Sequence, residues 1–494
     1  MLIDLPNALS NFGIEKKGVI HIGAHYGQEI AQYQNLQFKS IVAFEASKKN
    51  FDVLTSKVSQ GTAVLVNKAV GPKTGFCDLN VETKNEGMSN SILSPKLHLE
   101  QYPHITFNDV ERVEMTTLDI WKSENAPDIE HNVMCMDVQG FEFEVLLGCS
   151  ETLKKVDCLI CEVNRAELYK DGAHITEIDL YLRTYGLRRV FTNWEGQTWG
   201  DACYIHERFI TNVNAKMPKV GLVDINFSHA PAVLGFDSAC LLPTSKFDWE
   251  RNIRNINLDE QIGFVVFTDQ MLENAKMING KRKIAWLIEP AEVNPTLRER
   301  AASLAHHFDV VVTHDKSLIS TLKNGYYAPV ACSWIRPQDW YVHEKSKLVS
   351  IVASSKTSTT GQRMRHEASN LIDKNDRFGN AYKQIENKIE ALRDYKFSIV
   401  IENCKQEGFF TEKIIDSIIV GTVPIYWGCP DIGDHFDKRG IIQFDSLDDL
   451  KKILLSDLES FYNERKEYIV SNSKFARRFA SCDELLINKI FGVQ

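Results

Sequence analysis

Short apolar runs, each followed by a helical pattern, recur through most of this chain and leave it few folds to choose from. Between Gly18 and Ile205 the runs are GVIHIG, SIVAFE, TAVLVNKAVG, NVMCMDV and DCLICEV. Strands this uniformly apolar are buried on both faces, and a doubly wound parallel sheet flanked by helices buries them so. The pattern lapses in the polar stretch ERFITNVNAKMPK and restarts at Val220 with VGLVDINF. A chain of 494 residues also exceeds what one hydrophobic core serves. The spacing therefore predicts an α/β domain over 1–207, a linker at 208–219, and two further α/β lobes over 220–345 and 346–494. The first lobe has IGFVVF, KIAWLI and DVVVTH as strands; the second has LVSIVAS, KFSIVIEN and VPIYWG.

A formal net charge of -9 argues against a broad nucleic-acid footprint, which needs a basic surface, but leaves room for a local cluster of cations around a small anion. Eleven cysteines without regular spacing read as reduced thiols rather than a disulfide framework. The N-terminal MLIDLPNALSNFG lacks the basic-then-apolar layout of a signal peptide. No apolar stretch approaches the roughly 20 residues of a membrane span. A cytoplasmic location is the expectation, and the oligomeric state is left open.

In the first half, VIHIGAHYGQEI is a strand, a Gly-rich turn and a helix start. Gly23 and Gly27 let backbone approach a ligand closely and turn helix-terminal N–H groups towards an anion. Glu45 ends the next strand, where a carboxylate can accept hydrogen bonds from ribose hydroxyls; a plain helix-start carboxylate is the bland alternative. Asn67 and Ala69 stand at a further strand end, and MCMDVQGFEFEVLLG delivers Asp137 to a strand end before Gly140 and Glu142. Together HIGAHYGQE, FEASKKNF, NKAVG, SNSIL, TTLDIW, MDVQGFEFEVLLG and CEV resemble the FkbM family of S-adenosylmethionine-dependent O-methyltransferases over roughly residues 15–205. The resemblance implies a Rossmann-like domain in which His21, Gly23 and Gly27 hold the amino-acid part of S-adenosyl-L-methionine. Glu45 would hold its ribose, and Asn67 and Ala69 would border its adenine. Asp137 would take the acceptor's proton, with Glu162 nearby. His21 stands where the family usually has Asp, and Gln139 where it often has Glu.

In the second half, KFSIVIENCKQEGFFTEKIIDSIIVGTVPIYWGCP carries Asn403 to a strand end and then opens a helix with Glu412 and Lys413. Glu412 suits the positive end of a helix dipole, whereas Lys413 does not and so calls for an anion beside it. Gly421 is the expected C-terminal cap. The Glu-Asn, Thr-Glu-Lys and Pro-Ile-Tyr-x-Gly elements resemble the signature of the α1,3/α1,4-fucosyltransferases, glycosyltransferase family ten. That resemblance implies a two-lobed GT-B fold, GDP-fucose as donor, and transfer with inversion.

By position, Glu412 would bind the nucleotide ribose or stand near the fucosyl ring, Lys413 would neutralise the diphosphate, and Asn403 would line the pocket. Arg363 is the preferred second cation from SSKTSTTGQRMRHEASNLI, with Arg365 the competitor. Glu289 in KIAWLIEPAEVNP is the candidate base, with Glu292 and Asp269 as alternates. Tyr326, Tyr327 and Trp334 are read as core aromatics, with sugar stacking as the alternative, and His306, His307 and His314 as surface or cleft residues. No Asp-x-Asp pair occurs, so the cations rather than a metal ion are expected to hold the diphosphate. The expected function is a bifunctional glycan-modifying enzyme that transfers fucose to an oligosaccharide or glycoconjugate and methylates a sugar hydroxyl. The His at position 21 keeps a second reading open, in which the first domain is a non-catalytic glycan- or nucleotide-binding module.

Overall fold

The computed structural model describes residues 2–210, 219–224, 248–251 and 262–490. The expected linker at 208–219 and the end of the VGLVDINF strand lie in part outside the described residues. The chain forms two compact units, Met1–Lys216 and Met217–Gln494.

The first unit is built on one sheet ordered Val64–Val66, Ser40–Phe44, Gly18–Ile22, Val133–Met136, Cys158–Asn164, Trp199–His206, Leu187–Glu195. The first five strands run parallel, and the last two form an antiparallel hairpin on one edge. That hairpin departs from the all-parallel expectation. Its outer strand exposes alternate residues, as an edge does, instead of being buried on both faces. The run TAVLVNKAVG also differs from the single strand expected of it. It breaks at Asn67 into Val64–Val66, in the main sheet, and Ala69–Val70, in a small side sheet with Gly75–Glu82 and Phe107–Thr116. The Asn67 amide donates to the carbonyls of Glu45 and Ala46 at 2.9 and 3.1 Å, replacing ladder bonds where the chain turns away. Strand order reverses between Gly18–Ile22 and Val133–Met136, and open α/β sheets bind ligands beyond the carboxyl ends of strands at such a switch.

The second unit holds two wholly parallel sheets, each with its own apolar core. One is ordered Asp248–Arg251, Lys219–Val223, Ile262–Thr268, Arg282–Leu287, Val310–Thr313, Gly325–Tyr327. The other is ordered Arg377–Phe378, Lys347–Val352, Tyr395–Ile401, Val423–Trp427, Ile442–Gln443. This is the paired arrangement of a GT-B fold. The helix Glu412–Ile419 links two neighbouring strands of the second sheet and buries Ile414, Ile415, Ile418 and Ile419. Each such side chain contributes roughly 1.5–3 kcal/mol. Gly421 follows in the left-handed region at φ 74° and turns the chain into the next strand.

Candidate active sites

At the strand-order switch of the first unit lies a cavity of about 600 Å³. Its floor is the turn after Gly18–Ile22, where the N–H groups of Gly23 and Ala24 both donate to Phe44 O, at 3.0 and 2.9 Å. Gly23 has φ +83°, and a Cβ there would sit 1.9 Å from Asp137 O, so glycine lets two strand ends meet. Gly23→Ala is therefore expected to destabilise the unit by at least roughly 1–3 kcal/mol, from the strained backbone alone. A lowered urea midpoint would show it, and an unchanged midpoint would contradict it. Gly27 is not part of the cavity wall; its missing Cβ makes room for Leu54 behind the turn.

Glu45 lines the cavity with both carboxylate oxygens anchored. Oε2 accepts from His25 N–H at 2.8 Å, and Oε1 from Ser47 N–H at 2.9 Å. Burial pushes this carboxyl up to about 7 against the pull of those two bonds. Ala69 also lines the cavity, whereas Asn67 does not, its amide being spent on the strand end that holds Glu45. His21 lies in the wall, 2% exposed, with Nδ1 3.0 Å from Tyr33 Oη. Burial lowers its pKa and keeps the ring neutral.

Beyond them stands a carboxylate cluster. Gln139 Nε2 donates to Asp137 Oδ1 and Glu162 Oε2, each at 2.7 Å, while its Oε1 accepts from Tyr169 Oη–H at 2.9 Å. Gln139 adopts φ 54° to do so. Glu142 Oε1 accepts from the N–H groups of Val138 and Gly140, both at 3.1 Å. Burial raises Glu142 to about 8 and lifts Glu162 far above the carboxylate range, with the charge of Asp137 adding to both. Asp137 is the least buried of the three. One cavity edge thus holds carboxyl groups able to accept and share a proton. In the sequence Gln139 stands out only as a departure from the Glu that the family often has; its bridging of Asp137 and Glu162 was not foreseen.

In the second unit the C-terminal end of Tyr395–Ile401 is a polar junction. Glu402 is fully buried: Oε1 accepts from Thr411 N–H at 3.0 Å and Oε2 from Thr411 Oγ1–H at 2.8 Å. Thr411 caps the following helix, its hydroxyl accepting from Lys413 N–H at 3.4 Å. Lys413 Nζ lies 3.0 Å from Thr411 Oγ1, 3.1 Å from Glu412 Oε1 and 3.6 Å from Glu402 Oε2. The anion that Lys413 calls for at a helix start is thus supplied in part by two carboxylates of the chain itself. Burial pushes Glu412 up, but Lys413 and Lys388 prevail and hold it at about 2. Glu402, in the quoted Glu-Asn pair, and Lys388 were not singled out in the sequence. Lys388 Nζ pairs with the fully buried Asp416 Oδ2 at 2.7 Å. Thr411→Val is expected to cost about 2 kcal/mol by leaving Glu402 short of partners and the helix uncapped, read as a lowered unfolding midpoint.

The two arginines differ in surroundings. Arg365 is 6% exposed; its Nε donates to Ile401 O at 2.7 Å and Nη2 to Asn403 Oδ1 at 2.9 Å, which joins it to the junction. Arg363 is exposed and its fork is spent on the carbonyls of Thr357 and Ser358, at 3.2 and 2.9 Å. A helix turns residues two apart to different faces, and here it is Arg365, not Arg363, that reaches Asn403.

Glu289 follows the strand Arg282–Leu287. Burial raises its pKa, with Lys413 and Lys356 pulling it down and Glu412 pushing it up, so its carboxyl shares the field of the junction. Its carboxylate accepts no hydrogen bond among the described residues. Both alternates are engaged: Asp269, 1% exposed, accepts from the N–H groups of Ile288 and Glu289 at 2.7 and 3.1 Å. Glu292 Oε1 accepts from Thr360 N–H at the start of the helix Thr360–Ser369, at 2.5 Å.

Tyr326 and Trp334 are 46% and 43% exposed rather than core residues. Tyr327 donates to Gly408 O at 3.1 Å and faces His435. His314 is buried rather than at the surface, and burial lowers it to about 4. Among the described residues no group of His, Cys, Asp and Glu is placed to hold a metal ion, and no helix is long and apolar enough to cross a membrane.

Residues 21–189 match the methyltransferase FkbM domain model, and residues 342–476 match the C-terminal model of glycosyltransferase family 10 (fucosyltransferase). An α-(1,3)-fucosyltransferase of Helicobacter pylori is 30% identical over 120 residues, 21% of this chain and 25% of that protein. A 2-O-methyltransferase of Sinorhizobium fredii is 37% identical over 111 residues, 22% of this chain and 45% of that protein. The chain thus spans less than half the length of either of these curated relatives.

Proposed function

For a chain that carries an FkbM methyltransferase domain in its first half and a glycosyltransferase family 10 domain in its second, we propose two transfer reactions. One is O-methylation of a sugar hydroxyl from S-adenosyl-L-methionine. The other is inverting transfer of fucose from GDP-fucose to an oligosaccharide or glycoconjugate, in a reducing, cytoplasmic setting. The observation that carries the reading is the contrast in cations between the two sites. The methyl cavity is lined by Glu29, Glu45, Asp137 and Glu162, with Lys68 the one Lys or Arg among the described residues of its wall. Carboxylates favour a sulfonium and disfavour a dinucleotide's diphosphate. The junction instead sets two cations, Lys413 and Arg365, at a helix start beside Glu402 and Glu412, where a diphosphate would compete with those carboxylates for the cations.

S-adenosyl-L-methionine supplies a methyl group on a positively charged sulfur. The chain supplies position and proton transfer: Gly23 lets the two strand ends that carry the site meet, Glu45 accepts ribose hydroxyls, and Asp137 takes the proton of the acceptor hydroxyl. In the second unit Glu289 takes the acceptor's proton as it attacks the anomeric carbon. Lys413 and Arg365 stabilise charge on the departing diphosphate, and Asn403 holds the Arg365 fork in place.

Glu45 gives this reading a pH signature. Its carboxyl is protonated below about 7 and ionised above, and only the ionised form accepts from two hydroxyls at once. Affinity for S-adenosylhomocysteine is expected to rise as pH climbs through about 7 and to level off above, with Glu45→Gln flat. A flat wild-type profile would remove Glu45 from the ribose. Calorimetric titration of the whole chain with S-adenosylhomocysteine and, separately, GDP-fucose tests the function itself. Two independent heats are expected; GDP-fucose heat alone would make the first unit a non-catalytic module.

A further inference from the structure

The methyl cavity has a second end whose chemistry the donor does not use. Along the sheet, Gly23 and Glu45 follow the strands Gly18–Ile22 and Ser40–Phe44, whereas Glu162 and Trp199 belong to strands on the other side of Val133–Met136. Trp199 opens a strand antiparallel to Cys158–Asn164 and lies opposite Asn164, two residues past Glu162. Residues that face one another across a ladder, and those two apart on one strand, share a face. Trp199 is therefore on the Glu162 side of the sheet.

The short helix Leu97–Gln101 closes this end. It is tied down by Lys96 N–H and His98 N–H, which both donate to Leu168 O at 2.8 and 3.1 Å, and by Thr198 Oγ1–H, which donates to Gln101 Oε1 at 2.9 Å. Trp199 Nε1–H donates to Tyr102 Oη at 3.0 Å, which leaves the Tyr102 hydroxyl proton without an acceptor among the described residues. His98 is 4% exposed and lines the cavity, and its Nδ1 is buried with no hydrogen-bond partner among the described residues. Its ring packs against Tyr102 and Tyr169 at centroid distances of 5.0 and 5.4 Å. A buried imidazole nitrogen left without a partner is costly unless a ligand completes it, and the half-buried Tyr102 hydroxyl beside it has its proton free to donate.

We propose that His98, Tyr102 and Trp199 form the sugar subsite of the methylation reaction, taking one neutral pyranose ring and presenting a hydroxyl to Asp137 and Glu162. Indole and phenol rings offer flat apolar surface to a sugar's C–H face, while the imidazole and the phenol proton bond its hydroxyls. Neutrality follows from the wall: no Lys or Arg among its described residues stands at this end to pair with an anionic sugar. The assignment rests on the methyltransferase reading of the same cavity.

The test uses the full chain carrying [2-¹³C]histidine, with the His98 resonance assigned through His98→Gln. It is titrated with methyl α-L-fucoside, methyl β-D-galactoside and methyl β-D-glucuronide in the presence of S-adenosylhomocysteine. The His98 signal is expected to move with a neutral glycoside but not with the glucuronide. The shift should be lost in Trp199→Ala and reduced in Tyr102→Phe, which keeps the ring, with the calorimetric affinity for S-adenosylhomocysteine unchanged in both. Bound S-adenosylhomocysteine with a His98 signal that no neutral glycoside moves would overturn the subsite, as would an equal response to the glucuronide. Absence of any S-adenosylhomocysteine heat in the wild-type chain would instead bring down the methyltransferase reading, and the subsite with it.

Discussion

Lys413→Ala is expected to lower fucosyl transfer by roughly 10²–10³-fold or more while methyl transfer continues at its wild-type rate. Lys413 stands in the first turn of a helix, where the dipole disfavours a cation, and it is held there by Glu412, Thr411 and the neighbouring Glu402. That investment makes sense if the ammonium also meets a transferring group's diphosphate. Removing it has a second consequence. Glu412 is kept at about 2 against burial chiefly by Lys413 and Lys388, so the alanine variant should show a carboxyl titrating at higher pH. The helix itself is anchored by Ile414, Ile415, Ile418 and Ile419, none of which touches the change, so the variant should fold. Transfer of fucose from GDP-fucose, followed beside methyl turnover in one preparation, reads the result. Retained fucosyl transfer would reject the diphosphate assignment.

Asp137→Asn carries the second large effect. The substituted amide keeps an oxygen to accept from Gln139 and keeps the side chain's volume, but can no longer take a proton from the acceptor. Methyl transfer is expected to fall by roughly 10²–10⁴-fold with S-adenosylhomocysteine affinity preserved. Glu162 does not substitute easily: burial and the charge of Asp137 raise its pKa, which disfavours the ionised form a base needs. Unchanged turnover in the asparagine variant would remove Asp137 from the role and return the question to Glu162. Because the two reactions use different units, each substitution serves as the control for the other.

Much of this architecture was legible because it is local. Uniformly apolar runs spaced by helical patterns can be buried only in parallel sheets, and Thr-Glu-Lys before an amphipathic run can only open a helix. Glycines, strand-end carboxylates and the Lys413 anomaly are likewise properties of a few neighbouring residues. What the sequence by itself determined was the set of α/β blocks, and the strand ends at which Glu45, Asp137 and Asn403 would stand.

The tertiary structure decided everything that depends on meeting across the chain. Whether Arg363 or Arg365 reached Asn403 turned on which helix face packs against the strand end. Asn67, itself expected to border the adenine, was drawn instead to the backbone behind Glu45. Gln139 could bridge Asp137 and Glu162 only because strands distant in sequence lie side by side. Glu402 became a buried anchor because Thr411 returned to it after a loop. Burial and charge fields arise from such long-range juxtapositions, which is why the blocks could be read along the chain and the working state of their side chains could not.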